Sequence, residues 1–500
     1  MSQTATFVFC AILATAYSAD RKFPPGFIFG AGTSSYQIEG GWNVTDKSES
    51  IWDVFAHTPG KVRNDDNGDI ACDSYNKWKD DVQMAADLGL HFYRFSLSWP
   101  RLLPTGFPNE ISEDGKNYYN NLIDGLLEKG IQPVITIYHW ELPQRLQNLG
   151  GWTNPSITDW FADYARVVYT LYADRVKTWI TINEPIIMCD LSYNTGVTAP
   201  GIKDPLASYM CGKHVMIAHA KAWRIYDKEF KPKHKGRVSV TNQLIWFEAK
   251  TPEEEELAKL TRDLSVGLHS HPIYSKEGGW PPVIEEYIAK KSKEEGYARS
   301  RLPEFTPEEI ELVKGTYDFY ALNYYTGGTI RKARDGETID PWPLSGLPEL
   351  EAVIEKRPEW KKSEVYWFSV YPEGLRKQLV WLKENYGDLE FLIVENGYPS
   401  IGLNLQDLNR ISCIEGHLEQ ILLAIKEDGI NITGYTVWSL MDNFEWNEGY
   451  SIKFGLYEVD FADPARTRTP RASAHYYASV IKSHTLDVNI VENKHITDEL

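Results

Sequence analysis

The chain has 500 residues and carries 52 Lys and Arg against 70 Asp and Glu, a formal net charge of −18 at neutral pH. Hydrophobic residues make up 42% and charged residues 24% of the chain, which excludes disorder, a collagen-like chain and a multi-span membrane protein. The negative charge would repel a phosphate backbone, so nucleic acid is not an expected partner. Aromatic residues reach 13%, and their amphipathic rings suit either a large core or the flat faces of sugars.

The N-terminus predicts a secretory signal peptide over residues 1–19, where an apolar stretch at 5–16 is followed by small residues. We expect residues 20–500 to form a single domain, because no Gly/Ser-rich or Pro-rich linker divides them. No later segment reaches 18 unbroken apolar residues, so a membrane span is not expected. The last four residues, TDEL, are close to an ER-retention signal, which leaves retention open as an alternative to secretion.

Secretion would place two Asn-X-Thr triplets within reach of N-glycosylation, at Asn43 and Asn431. Asn43 is expected to be exposed, and Asn431 is expected to be less accessible because it precedes a predicted strand. Cys189 and Cys211 are close enough in sequence to pair, although buried free thiols fit the pattern equally well. No Cys/His cluster has zinc spacing and there is no Gly-rich phosphate loop, so neither a metal nor a nucleotide is indicated.

Eight short runs rich in β-branched and aromatic residues predict strands, with amphipathic helical stretches between them. The predicted strands lie at residues 27–32, 92–99, 133–140, 178–184, 237–243, 317–325, 390–396 and 432–439. Helical spacing of apolar residues is clear at 75–88 and 375–385. Strands alternating with helices predict an α/β fold, a single (β/α)₈ TIM barrel with long βα loops. A doubly wound sheet is the alternative, but its Gly-rich crossover turn is missing.

The carboxyl ends of the predicted strands carry polar and aromatic side chains, whereas the strand interiors are Val, Ile, Phe and Leu. These end residues are Arg94, Trp99, His139, Trp140, Asn183, Glu184, Asn242, Asn323, Tyr325, Glu395 and Trp438. In a (β/α)₈ barrel such ends converge on one mouth, where the active site lies. The sequence therefore predicts an open, aromatic-rich and acidic cup.

Two of these residues are glutamates that end the fourth and seventh predicted strands, Glu184 in TINEP and Glu395 in VENG. Strand ends three apart in an eight-stranded barrel face each other across the mouth. A lone glutamate at a strand end more often forms a salt bridge or caps a helix. Two facing carboxylates, however, suit glycoside hydrolysis, in which one protonates the leaving oxygen and the other attacks or activates water. Arg94, Asn183 and Tyr325 supply donors that can hold the two carboxylates in different protonation states.

The sequence also resembles glycoside hydrolase family 1, the β-glucosidase family, in its insect-type members. The resemblance runs from FPPGFIFGAGTSSYQIEG to RTPRASAHYY and covers nearly the whole mature chain. Its motifs occur in family order: SIWDVF, YRFSLSWPRLLP, YHWELPQ, WITINEP, NYYT, YPEGLR, VENG and WSLMDNFEWNEGY. So many ordered motifs make the resemblance highly specific.

The resemblance implies a retaining β-glucosidase that removes the terminal non-reducing β-D-glucosyl residue from small glucosides. Glu184 would be the general acid/base and Glu395 the nucleophile, with their carboxyl groups about 5–5.5 Å apart. Arg94 and Tyr325 would bond Glu395, and Asn183 would hold the sugar 2-hydroxyl. The remaining residues implied to bind substrate are Gln37, His139, Trp140, Trp438, Glu445 and Trp446 for the sugar, and Trp367 for the leaving group. No cofactor is implied, because the carboxylates carry the reaction.

The residues leave two alternative functions open. The first is a thioglucosidase (myrosinase) that cleaves glucosinolates, for which Lys213, Arg331 and Lys332 are candidate partners of a sulfated aglycone. The second is a catalytically silent sugar-binding barrel, since one fold hosts many functions. Retention of both catalytic glutamates argues against the silent barrel. Glu141 stands where the family usually has Asp, behind His139 and Trp140, which affects expectations of fine specificity rather than of activity.

Overall fold

A computed structural model describes residues 21–342, 346–402 and 404–488 of the chain. The predicted signal peptide at 1–19 and the TDEL sequence at 497–500 lie outside these ranges. Within the described ranges, no helix combines the length and the apolar character that crossing a membrane requires.

Eight parallel strands of the described chain close into a barrel, which confirms the predicted fold. The strands are β1 Ile28–Gly32, β2 Phe92–Ser96, β3 Gln132–Tyr138, β4 Thr178–Asn183, β5 Arg237–Ala249, β6 Tyr320–Lys332, β7 Glu390–Asn396 and β8 Asn431–Trp438. Neighbouring strands pair in chain order from β1 to β8. The pairing of β8 with β1 completes the barrel.

Helices follow the strands and cover the barrel from outside. The principal helices are α1 Ser74–Asp87, α2 Glu113–Glu128, α3 Ile157–Tyr172, α4 Pro205–Ile225, α5 Pro282–Glu294, α6 Pro372–Tyr386, α7 Leu408–Lys426 and α8 Ala472–Ser483. Helices α1 and α6 coincide with the two stretches of clear helical spacing. Helix α3 illustrates why these segments dock, because its apolar residues Phe161, Ala165, Val168 and Tyr172 recur at helical spacing and are all buried.

Shorter elements occupy the connections. The short helices and turns of 3₁₀ or π type are Ser35–Ile38, Ile51–Ala56, Arg63–Asp65, Trp99–Leu102, Gln144–Asn148, Gly151–Thr153, Pro185–Cys189, Asp190–Asn194, Tyr226–Phe230, Lys231–His234, Pro252–Glu254, Glu255–Arg262, Asp263–Gly267, Leu268–Tyr274, Pro307–Val313, Pro348–Leu350 and Trp446–Glu448. The short strands are Gly346–Leu347, Ala352–Glu355, Lys361–Lys362, Ser369–Val370, Ser400–Ile401, Ile452–Lys453, Tyr457–Val459 and Arg468–Pro470.

Polarity inside the barrel changes along the strands. An apolar cluster that includes Phe92, Val134 and Ile180 draws on the strands of the barrel. Two residues further along β2 and β3 stand Arg94 and Thr136, joined by a hydrogen bond of 3.1 Å from Arg94 Nε to Thr136 Oγ1. Packed apolar side chains therefore give way to a polar layer toward the carboxyl ends of the strands, where the site forms.

Strands β5 and β6 are longer than the sequence predicts. They continue as a pair beyond the mouth, with Trp246 opposite Gly327 and Ala249 opposite Ile330. The strand Ala352–Glu355 then pairs antiparallel with the outer part of β6. The extension builds a wall at one side of the mouth that strand-end patterning could not indicate.

Candidate active site

Irregularities in the β-ladder precede both strand-end glutamates. The register between β4 and β5 shifts between Ile180 and Asn183, and the register between β7 and β6 shifts between Ile393 and Glu395. Glu184 itself adopts a left-handed backbone with φ 48°, directly before the short helix that begins at Pro185. Bulges re-aim side chains, and a left-handed non-glycine residue is strained by about 1–3 kcal/mol. Such strain at a barrel mouth points to a functional position.

Arg94 connects the two sides of the mouth through its guanidinium group. It is fully buried, and its Nη1 donates a short hydrogen bond to Glu395 Oε1. Its Nη2 donates to Asn183 Oδ1 at 2.7 Å. The second oxygen of Glu395 accepts a hydrogen bond of 2.7 Å from the hydroxyl of Tyr325. A cation from β2 and a phenol from β6 thus fix the Glu395 carboxylate from both sides.

Glu184 has a different environment. Asn323 Nδ2 donates to Glu184 Oε1 at 2.6 Å, and the carboxyl group is otherwise buried in the mouth. Burial, followed by the negative charge of Glu395, raises the pKa of Glu184 well above its usual range. Burial and the Glu395 charge likewise raise the pKa of Tyr325, which keeps that phenol a donor. The site therefore holds one carboxyl that favours its protonated form beside one that accepts from a cation.

A third carboxyl of the mouth, that of Glu445, lies beside Gln37. Gln37 Nε2 donates to Glu445 Oε2 at 3.3 Å and to the Phe444 carbonyl oxygen at 2.9 Å. Burial and the nearby Glu395 charge raise the pKa of Glu445 to about 8. A protonated carboxyl can donate as well as accept, so this pair suits a ligand rich in hydroxyl groups.

Aromatic rings form the rest of the mouth. The His139 ring stacks with Trp438 at 5.7 Å between centroids and with Trp446 at 6.1 Å. Trp140 lies 4.8 Å from Trp446 and donates from Nε1 to the Asn183 carbonyl oxygen at 2.9 Å. Burial and the charge of Arg94 lower the pKa of His139 well below its usual range, so the imidazole is neutral.

These residues surround one cavity of about 230 Å³, here called the cup. Ten of the twelve residues predicted for catalysis and substrate binding line it directly: His139, Trp140, Asn183, Glu184, Tyr325, Trp367, Glu395, Trp438, Glu445 and Trp446. Gln37 and Arg94 stand behind them and contact Glu445 and Glu395. The structure therefore brings all twelve together.

The site also includes residues that the sequence does not assign to substrate. The sequence indicates Asn323 only as a polar strand end, yet in the structure Asn323 is the hydrogen-bond donor to Glu184. Gln243, which lies on β5, lines the cup. Lys356, which directly follows the short strand Ala352–Glu355, lines it as well. The polar end of the fifth predicted strand could have indicated Gln243. No sequence signal pointed to Lys356.

The three cations considered for a sulfated aglycone do not line the cup. Lys213 pairs with Glu309 at 2.8 Å, and Lys332 pairs with Glu351 at 2.9 Å. Arg331 is bound by Glu337 at 2.7 Å and by Glu355 at 2.8 Å. In this strongly acidic chain, all three side chains pair with carboxylates outside the cup. The hypothesis that they bind a sulfated aglycone is therefore wrong.

Glu141 lies behind the cup as expected. It is buried, and Ser35 Oγ donates to its Oε1 at 2.9 Å. Burial raises the pKa of Glu141 to about 8, so the longer acid at this position is held mainly protonated. Within the described ranges, no group of three or more His, Cys, Asp or Glu side chains is arranged to hold a metal ion.

The asparagines of the two predicted glycosylation sites are both exposed, and neither lines the cup. The exposure of Asn431 differs from the expectation, because the first residue of β8 projects from the end of the barrel. Thr433 of the same triplet is half-buried and donates to Glu390 Oε1 at 2.9 Å. A disulfide joins Cys189 to Cys211 and ties the short helix after Glu184 to α4.

A (β/α)₈ barrel with two unlike carboxyls in an aromatic cup at its mouth defines a glycoside hydrolase site. The family model of glycosyl hydrolase family 1 matches residues 19–486, and the chain belongs to this family. Retaining β-glucosidase activity is the family activity, and the protein is a glycosidase.

Similar proteins include relatives named as myrosinases and as beta-glucosidases. Myrosinase 1 of Brevicoryne brassicae is 46% identical over 470 residues, which cover 93% of this chain and 99% of the relative. The human cytosolic beta-glucosidase is 40% identical, with coverage of 94% and 100%. The solved structure of an aphid myrosinase superimposes with a TM-score of 0.88 at 46% identity, covering 92% of this chain and 99% of that one.

Proposed function

We propose that the protein hydrolyses β-glucosides with Glu184 as the general acid/base and Glu395 as the nucleophile. The observation that carries this assignment is the asymmetry between the two carboxyls. Glu395 accepts hydrogen bonds from Arg94 and Tyr325, whereas burial raises the pKa of Glu184. One group is thus prepared to attack as a carboxylate and the other to donate a proton.

In the first step, a Glu395 oxygen forms a bond to the anomeric carbon while the bond from that carbon to the leaving oxygen breaks. Glu184 gives its proton to the leaving oxygen, and a glucosyl ester remains on Glu395. Arg94 and Tyr325 hold the attacking carboxylate in position throughout. Glu395 carries no charge in the ester. Its charge therefore no longer raises the pKa of Glu184, and this pKa falls.

In the second step, the ionised Glu184 accepts a proton from water, and the water oxygen attacks the anomeric carbon. The bond to Glu395 breaks and its carboxylate is restored. Two displacements on the same carbon return the sugar with its β-configuration retained. The fall in the pKa of Glu184 after the first step suits its change from acid to base.

The sugar ring is proposed to occupy the part of the cup formed by Glu445 and the stacked rings of His139, Trp438 and Trp446, with Gln37 directly behind Glu445. Glu445 and Gln37 would bind hydroxyl groups, and Trp438 would stack against the ring. Asn183, held by Arg94 at 2.7 Å, would bind the 2-hydroxyl. Buried polar groups discriminate strongly because a missing hydroxyl leaves them unpaired, so strict sugar selectivity is expected.

The leaving group is proposed to occupy an outer part of the cup, against Trp367 and the apolar side chains Ile187, Leu191 and Ile245, which all line the cavity. Apolar contacts of this kind discriminate weakly, so a range of aglycones is expected. Cleavage of S-linked glucosides is the second candidate function, because a relative named Myrosinase 1 is 46% identical to the chain.

Release of glucose from three substrates distinguishes these functions: an aryl β-glucoside, cellobiose and the glucosinolate sinigrin. We expect fast cleavage of the aryl glucoside and of cellobiose, which would identify an O-β-glucosidase. Preferential turnover of sinigrin would identify a thioglucosidase. Failure to release glucose from any of the three would contradict both functions and favour a sugar-binding barrel.

We further propose that the chain enters the secretory pathway and is glycosylated at Asn43. The apolar segment at 5–16, the disulfide between Cys189 and Cys211 and the exposure of Asn43 support this proposal. In protein secreted from eukaryotic cells, Asn43→Gln should lower the mass by one glycan, and the parallel variant Asn431→Gln reports the second site. An unchanged mass in Asn43→Gln, measured on the intact protein, would remove the claim for Asn43.

A further inference from the structure

Lys356 is a basic residue of the cup, and its position depends on the extension of β6. It directly follows the short strand Ala352–Glu355 and is half-buried. Its Nζ donates to the Gly327 carbonyl oxygen at 2.6 Å and to Thr326 Oγ1 at 3.2 Å. Two neutral oxygens of β6 therefore anchor the ammonium group within reach of the cavity.

No carboxylate of the described residues lies within 4.0 Å of Lys356 Nζ. Its basic neighbours differ in this respect, since Arg331 pairs with Glu337 and Arg357 pairs with Glu248. Glu355, next in sequence to Lys356, is bound by Lys250 and Arg331 instead. Lys356 therefore donates to neutral oxygens although the chain has 18 more acidic than basic residues.

Apolar side chains line the cup together with Lys356: Ile187, Leu191, Ile245 and Ile354. Burial alone lowers the pKa of Lys356, to about 8, so the ammonium form still predominates at neutral pH. A charge held among apolar side chains without a counter-ion is unfavourable, and a ligand anion would relieve that cost. The carboxyls that line the cup have other partners: Glu395 accepts from Arg94, Glu184 from Asn323 and Glu445 from Gln37, and Glu448 pairs with Arg63.

We propose that Lys356 makes the enzyme selective for glucosides whose aglycone carries an anionic group, a carboxylate or a sulfate, by pairing with that group in the outer part of the cup. The inference rests on the proposed function, because it assigns the aglycone to the part of the cup beyond the two catalytic carboxyls. It replaces Lys213, Arg331 and Lys332 as the cations that would recognise such a substrate.

The test compares substrates that differ in charge but little in shape. The first pair is 4-carboxyphenyl and 4-carbamoylphenyl β-glucoside, and the second pair is 4-sulfophenyl and 4-sulfamoylphenyl β-glucoside. The measured quantity is the ratio of kcat/KM for the anionic member to kcat/KM for the neutral member. Lys356→Met should lower this ratio about tenfold in at least one pair, and Lys356→Arg should retain most of it. Lys362→Met, which removes an exposed lysine that does not line the cup, should leave the ratio unchanged.

The pair that responds identifies the anion, since the carboxylate and the sulfonate are tested separately. Equal ratios in the unchanged enzyme and in Lys356→Met, for both pairs, would overturn the proposal. Turnover of the neutral members reports the folding of each variant and the proposed function independently. An unchanged enzyme that hydrolyses none of the four glucosides would contradict the glycosidase assignment, whereas equal ratios with normal neutral turnover would contradict only the role of Lys356.

Discussion

We expect Glu395→Gln to lower kcat for every β-glucoside by at least about 10⁴-fold, because a neutral amide cannot form the glucosyl ester. The substitution also places an amide between Arg94 and Tyr325, both of which donate to the carboxylate in the unchanged protein. The NH₂ group of the new amide must then face one of these two donors, which leaves that hydrogen bond unmade. Steady-state rates on an aryl β-glucoside and on cellobiose measure the effect, and a loss confined to one substrate would argue against the nucleophile assignment.

Two further variants separate the loss of the nucleophile from general damage to the cup. Glu448→Gln removes another carboxylate that lines the same cavity and should change kcat by less than about tenfold. Glu395→Gly opens space for added azide, which would attack the anomeric carbon from the face that Glu395 occupies. With an activated aryl β-glucoside the product should therefore be the inverted α-glucosyl azide. Formation of the β-anomer in this variant would show that Glu395 is not the nucleophile.

The sequence was most informative where chemistry and strand geometry coincide. Polar or aromatic residues end seven of the eight predicted strands, and counting strands predicts that Glu184 and Glu395 face each other across the mouth; the structure confirms the barrel. The twelve predicted residues meet in or directly behind one cup because carboxyl ends of parallel strands converge. Family resemblance added residues that lie outside the barrel strands, such as Gln37, Glu445 and Trp446, which no strand pattern could indicate.

Features that depend on side-chain contacts between distant segments could not be predicted in this way. The hydrogen bond from Asn323 to Glu184 joins β6 to the residue that follows β4, and the left-handed backbone of Glu184 is not visible in its sequence context. The wall that carries Lys356 depends on how far β5 and β6 continue past the mouth. The prediction that Lys213, Arg331 and Lys332 bind a sulfated aglycone was wrong. Basic side chains in an acidic chain have many possible carboxylate partners, and only the fold determines which carboxylate each one pairs with.

Glu184→Gln is expected to divide substrates by the quality of their leaving group. For cellobiose, whose leaving oxygen needs a proton, kcat/KM should fall by about 10³-fold or more. For 2,4-dinitrophenyl β-glucoside, which departs as a stable anion, kcat/KM should stay within about tenfold of the unchanged enzyme. Slow attack of water without a base should also let the glucosyl ester on Glu395 accumulate, visible as the added mass of one glucosyl residue.

The pH dependence gives an independent readout of the same residue. Because burial and the Glu395 charge raise the pKa of Glu184, the acid is active below that pKa and is lost as the pH rises through it. The unchanged enzyme should therefore lose kcat/KM on the basic side, and this fall should be absent from Glu184→Gln. Any fall that persists near pH 8 would report Glu445, whose pKa is raised to about 8.

Azide distinguishes the acid/base from the nucleophile by product stereochemistry. In Glu184→Ala, azide enters from the side that water uses and attacks the glucosyl ester on Glu395, so the product should be the β-glucosyl azide. The opposite anomers expected from Glu184→Ala and Glu395→Gly follow from the two carboxyls acting on opposite faces of the sugar. Equal losses on cellobiose and on the dinitrophenyl glucoside, without azide rescue, would contradict the acid/base assignment of Glu184.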